Sequence, residues 1–176
     1  HDEAEPNLLD DTKGYGGGLI ATYLKKRFAV SLTTGFTIPG DYSEGISLFS
    51  GSTATTKTTI EYGRSFEYNL SFGYLVYPKK YSSYEQANWN IYLEFNGKSY
   101  ETAVVSQNGS NLEVQTEGLK NGYYVEIHPG IQKVISSNLR IDLSAGTNIL
   151  NTSYTKFYPI FMVSIQRYFY SLKKLK

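Results

Sequence analysis

Glu126 and His128 stand two residues apart, and farther along Arg140 and Asp142 repeat that spacing. An imidazole beside a carboxylate can sense pH or hold a ligand. A guanidinium beside a carboxylate can line a charged passage or pair with it and fill the space. More polar side chains recur at even spacing in other segments: Glu61, Glu67 and Asn69, then Asn90 and Glu94, then Gln132 and Gln166, with Arg27 upstream. A spacing of two puts such residues on one face of a strand and scatters them around a helix. The ordinary reading of His128 is an interior histidine held by hydrogen bonds. Pro129, directly after it, predicts a bulge or an outward kink.

Other candidate chemistry is sparse. His1-Asp2-Glu3-Ala4-Glu5 offers nitrogen and oxygen ligands for weak chelation, and its simpler reading is an acidic, disordered end. Two His and no Cys leave few nucleophiles or metal ligands and exclude both disulfides and thiolate metal sites. GxSxG, HExxH and P-loop motifs are absent. The chain is therefore read as non-enzymatic, with no catalytic residue, no metal and no cofactor. The glycosylation-type triplets at 108–110 and 151–153 are read as loop residues.

The elements that must position these groups follow from period-two alternation, the signal of a half-buried strand. It is clearest over 139–149, where Leu139, Ile141, Leu143, Ala145, Thr147 and Ile149 oppose Arg140, Asp142, Ser144, Gly146 and Asn148. The pattern recurs over 122–135, 88–98, 60–77 and 27–39, more weakly over the Gly-rich 14–24, and again over 157–170. In 60–77 the apolar row is Phe66, Tyr68, Leu70, Phe72, Tyr74 and Val76. About seven strands are expected, most of them longer than the ~5–6 residues usual in globular sheets. The tilted strands of a membrane barrel need ~9–11.

Composition points the same way. The 176 residues suit one domain, and 17 Tyr, 9 Phe and 16 Gly favour β-structure. A net charge of +1 gives no reason to expect nucleic acid as a partner. No run approaches the ~18 consecutive apolar residues of a membrane helix, and the mean hydropathy of −0.35 is compatible with alternating strands. Connections alternate between short, at residues 25–26 and 136–138 with a moderate one at 78–86, and longer, at 41–57, 106–121 and 151–156. Such alternation assigns opposite sides in an up-and-down arrangement. Seven strands conflict with the even number of a complete bacterial barrel, so upstream strands beyond this chain are expected, in keeping with a first residue that is not Met.

Alternation fits two barrels of opposite sense. A soluble one points its apolar row inward; a membrane barrel points it outward. The polar rows here hold small and uncharged residues such as Ser31, Gly35, Ser71, Gly73, Gly130 and Gly146, together with charges of both signs. Aromatics gather toward the ends of the apolar rows, at Tyr62, Tyr74, Trp89, Tyr123, Phe157 and Phe169, as interfacial girdles do. These features favour an all-β, antiparallel, up-and-down transmembrane β-barrel. Its lumen-lining candidates are Arg27, Glu61, Glu67, Asn69, Asn90, Glu94, Glu126, His128, Gln132, Arg140, Asp142 and Gln166.

The stretch YYVEIHPGIQKVISSNLRIDLSAG, followed by FYPIFMVSIQRYFY, resembles the C-terminal half of outer-membrane β-barrel proteins of the Bacteroidota type. The resemblance covers roughly residues 60–170. It implies a barrel of porin-like or transport type in the bacterial outer membrane, closed by a last strand ending in an aromatic. Phe169 and Tyr170 match that ending, although SLKKLK follows. The expected organisation is an acidic segment at 1–13, the barrel at 14–170 and a basic tail at 171–176. Expected partners are the lipid bilayer and proteins meeting the loops at 41–57 and 106–121. The alternative is a soluble lipocalin-like barrel that binds a small apolar ligand.

Overall fold

The computed structural model describes residues 13–47, 55–80, 86–136, 138–154, 156 and 158–169. The acidic segment up to residue 12, loop residues 48–54, Phe157, Tyr170 and the basic tail lie outside the described residues. The strands, in chain order, are β1 (Gly14–Lys25), β2 (Phe28–Pro39), β3 (Tyr42–Ser47), β4 (Thr55–Glu61), β5 (Ser65–Tyr77), β6 (Asn88–Tyr100), β7 (Val104–Gln107), β8 (Ser110–Leu112), β9 (Gly122–Ser136), β10 (Leu139–Asn151) and β11 (Ile160–Arg167). A 3-10 turn, Glu117–Leu119, precedes β9.

Seven strands form one antiparallel sheet in the order β1-β2-β5-β6-β9-β10-β11, a meander in which neighbours in the sheet are also neighbours in the chain once the excursions are set aside. They correspond to the seven alternating segments of the sequence, with one correction. The segment 60–77 is two strands. Glu61 ends β4 in a second sheet, and β5 starts only at Ser65, so Glu61 does not share a face with Glu67 and Asn69.

The second sheet corrects the reading of 41–57 and 106–121 as loops. Hairpin β3–β4 links β2 to β5, and hairpin β7–β8 links β6 to β9. Their pairing through β4 and β7 makes a four-stranded extension, β3-β4-β7-β8, at one end of the main sheet. The β7–β8 hairpin turns on Asn108-Gly109, both with positive φ, the pattern of a type I′ turn whose twist matches the flanking strands. At the other end of the main sheet the β1–β2 and β9–β10 connections are tight, while the β5–β6 connection spans 78–87. Lys26 takes a left-handed φ of 56° in the β1–β2 turn.

The main sheet is open. Nothing among the described residues pairs with the free edge of β1 or of β11. Both strands run from the extension end to the turn end, as the registers Gly14↔Pro39 and Leu139↔Arg167 establish. Direct pairing between them would be parallel.

Burial divides the two faces. Among the described residues the buried apolar side chains are Tyr62, 9% exposed, and Ala103, 4% exposed, whereas Ser65, Asn88, Lys98 and His128 are buried polar groups. The apolar rows are outward and exposed. They include Phe28, Leu32 and Phe36 on β2, Leu143 on β10, and Phe161, 84% exposed, on β11. One row, Leu32↔Leu70↔Phe95↔Ile127, is apolar across four successive strands. Aromatic contacts between neighbouring strands knit this face: Phe72 tilts against Phe28 and meets Phe95 edge-on, each at 6.4 Å between ring centres.

Candidate functional site: the polar face of the main sheet

Because side chains alternate along each strand, the register alone brings the even-spaced polar groups into rows that cross the sheet. Toward the turn end, Asn90, Gln132, Asp142 and Ser164 stand opposite one another on β6, β9, β10 and β11. Asn90 Nδ2 donates to Asn88 Oδ1 at 2.8 Å and to Gln132 Oε1 at 3.1 Å, and Gln132 Nε2 donates to Asp142 Oδ1 at 2.6 Å. Arg140 Nε lies 3.7 Å from Asp142 Oδ2, so the Arg-x-Asp spacing becomes an ion pair on one face. Gln166 stands in register opposite Arg140.

The next rows carry the carboxylates. Ser71 Oγ reaches Glu94 Oε1 at 3.5 Å, and Glu94 is paired in register with His128. Asn69 Nδ2 donates to Asn96 Oδ1, and Asn96 stands opposite Glu126. Beyond them, Lys98 Nζ meets Glu67 Oε1 at 3.0 Å. Lys98 is 4% exposed, and an ammonium kept that far from water needs an anionic or hydrogen-bonding partner.

His128 differs from expectation. It is 6% exposed, yet neither ring nitrogen has a hydrogen-bond partner. Nε2 lies 3.7 Å from Glu126 Oε2, beyond hydrogen-bond range. The ring lies across Gly146 of β10, where any side chain would collide with it. Pro129 introduces no bulge at this point. The β9–β10 pairing lapses between Ser144↔Gly130 and Thr147↔Ile127 and resumes in the same register, with the register shift coming later, between Asn148 and Leu150. A residue without an N–H leaves a gap in a ladder without displacing it.

The same ring-over-glycine arrangement recurs. Tyr92 lies over Gly130 and Tyr100 over Gly122 on the polar face, and Tyr68 lies over Gly97 on the apolar one. The glycines make room for rings from the adjacent strand, which fixes relative register.

Two open cavities run along the polar face. One, of about 630 Å³, is bounded by Gly16–Gly18, Thr33, Glu67, Asn69, Asn96, Lys98 and Glu126. The other, of about 720 Å³, is bounded by Ser71, Asn90, Tyr92, Glu94, Gln132, Arg140 and Asp142. The first reaches from β1 across to β9, so the sheet curls toward its polar side. The chain matches no protein-family model, no curated protein and no solved structure.

The remaining sequence candidates fall elsewhere. Arg27 borders the second cavity from the β1–β2 turn, but its guanidinium donates to Val76 O and stands over the Tyr74 ring, 5.0 Å from its centre. Tyr74, Trp89, Tyr123 and Phe169 are exposed, the first two and Phe169 at the turn end and Tyr123 at the extension end. Tyr62 is no interfacial aromatic; it is buried where the two sheets meet, beside Tyr100, Ala103 and Leu119. Sequence reading set Tyr92 and Asn96 on the face opposite Trp89–Phe95 without naming them as lumen-lining candidates, and it missed Lys98. Parity held the signal, since all three continue the Asn90–Glu94 row in steps of two.

Proposed function

We propose that this chain is wall of a bacterial outer-membrane β-barrel of porin-like or transport type, or the barrel subunit of an envelope complex, and that it acts passively. One observation carries the reading: burial is inverted, with polar rows turned inward on the curl of the sheet and apolar rows left exposed. Monomeric soluble proteins rarely expose apolar patches beyond a few hundred Å², and each large apolar side chain recovers about 1.5–3 kcal/mol on leaving water. A hydrocarbon layer around the outward face supplies that burial. The main-sheet strands of 12 to 15 residues, β1 to β10, exceed the ~9–11 needed to cross it. Because β1 and β11 run the same way, an all-antiparallel barrel closes through an odd number of further strands between them.

The test is the behaviour of the purified chain. It should fold and remain monodisperse in detergent micelles or lipid vesicles and aggregate without them; a soluble, folded monomer in plain buffer would end this reading. Channel steps in planar bilayers would then separate an open barrel from a filled one. The soluble lipocalin-like reading needs apolar side chains facing the cavities. Leu19, Ile20 and Phe36 border one cavity and Leu24, Phe28 and Ile91 the other, but the rows that cross the sheet there are Asn, Gln, Ser, Thr and charged residues, which favour the first reading. A fluorescent fatty acid that failed to saturate would weigh further against the second.

A further inference from the structure

The two ends of the main sheet differ in charge and in how the charge is held. At the turn end three cations stand over aromatic rings: Arg27 over Tyr74 at 5.0 Å, Lys133 over Trp89 at 4.8 Å and Arg167 over Phe169 at 5.0 Å. Tyr74, Trp89 and Phe169 stand at or near the turn-end limit of the outward apolar rows, with Val76 beyond Tyr74. Lys25, Lys26, Lys79 and Lys80 add exposed cations in the adjoining turns. Among the described residues of this end the one carboxylate is Asp142. It faces the polar side and is engaged by Gln132 and Arg140. At the extension end acids and bases are mixed, with Asp41, Glu61, Glu101 and Glu117 among Arg64, Lys57 and Lys120.

We infer that the turn-end rim is a binding surface for anionic phospholipid head groups, selecting them over zwitterionic ones. The inference rests on the membrane reading above. Its physical ground is placement: at the turn-end limit of the outward apolar face each of these exposed rings carries a cation at its face, with Lys133 directly opposite Trp89. That placement sets the cations at the depth of lipid phosphates. A ring holds the cation by its π face and leaves N–H groups free to turn outward to an anion. An acidic protein segment would meet these cations only from the aqueous side, away from the acyl region that the rings adjoin.

Trp89 is the chain's single tryptophan, and Lys133 lies over it, so its fluorescence reports on this rim directly. The full chain is reconstituted in phosphatidylcholine vesicles containing brominated phosphatidylglycerol or, at equal mole fraction, brominated phosphatidylcholine. The brominated anionic lipid should quench Trp89 several-fold more effectively at low fractions, since a basic residue near a membrane surface contributes about 1 kcal/mol toward anionic lipid. The preference should shrink as salt is raised. It should also fall in the Arg27→Gln, Lys133→Gln, Arg167→Gln triple variant. Equal quenching by the two lipids, the result expected if the rim instead meets an acidic protein, would overturn the inference while leaving the membrane reading intact. A preference unchanged in the triple variant would overturn it too. Quenching by neither lipid would remove the membrane reading itself. Because the salt titration uses the unaltered chain, the inference can fail even if the variant does not fold.

Discussion

The main sheet and its four-stranded extension are built from one chain and differ in strand length, 8 to 15 residues against 3 to 7. Every interior strand of the main sheet has an apolar row on one face and a polar row on the other. The extension is rich in Thr and Ser, as in the TTKTTIE of β4, with Ser43 and Thr59 hydroxyls bonded across β3 and β4 at 3.0 Å. It carries an apolar row, Tyr42↔Ile60↔Val105↔Leu112, on one face and a polar row, Ser43↔Thr59↔Ser106↔Asn111, on the other. The two buried apolar residues among those described, Tyr62 and Ala103, lie at the junction of the sheets. Gly63 allows the backbone there to approach the Glu101 carbonyl too closely for any side chain. The contrast places the change from long, face-divided strands to short, Thr- and Ser-rich ones at this junction.

The largest break in that comparison should come from a charge on the apolar face. Leu32→Arg, in the row apolar across four strands, should destabilise the vesicle-embedded chain by about 2–4 kcal/mol. Thr58→Arg in the extension should stay within about 0.5 kcal/mol. Denaturant titration in lipid vesicles measures both, and equal effects would erase the distinction between the two sheets. A smaller effect is expected from filling a ring seat: Gly130→Val forces Tyr92 off β9 and should cost about 1–3 kcal/mol by overpacking. The smallest is Gly109→Ala, whose left-handed φ of 83° should cost about 1 kcal/mol. Hydrogen exchange should rise in β7 and β8 while β5 and β6 keep their protection, and loosening of both sheets together would show that they fold as one unit.

Much of the main sheet was legible in sequence. Alternation located its strands to within a residue or two at most ends and grouped the side chains that share a face as the registers do, apart from Glu61 and Tyr62. It failed at 60–77, because Glu61 and Tyr62 happen to continue the parity of β5 across a break that no turn residue other than Gly63 announces. It failed again at the extension. Asn108-Gly109 is a strong hairpin signal, but β7 and β8 have four and three residues, too few to display a period. The polar rows were recognised as a set and not as pairs. Nothing in the spacing foretold that Gln132 would bond Asp142, that Lys98 would be buried against Glu67, or that His128 would lie over Gly146 without a hydrogen bond.

The division has a physical basis. Which side chains share a face is a property of one extended backbone, repeating every two residues regardless of neighbours, and the sequence determined it alone. Which residue stands opposite which depends on register between strands distant in the chain, and a one-residue slip exchanges the faces of a whole strand. Only the tertiary structure could decide that the two long connections fuse into a second sheet, that the cations of the turn end lie over outward rings, and that β1 and β11 run in the same direction with both edges open.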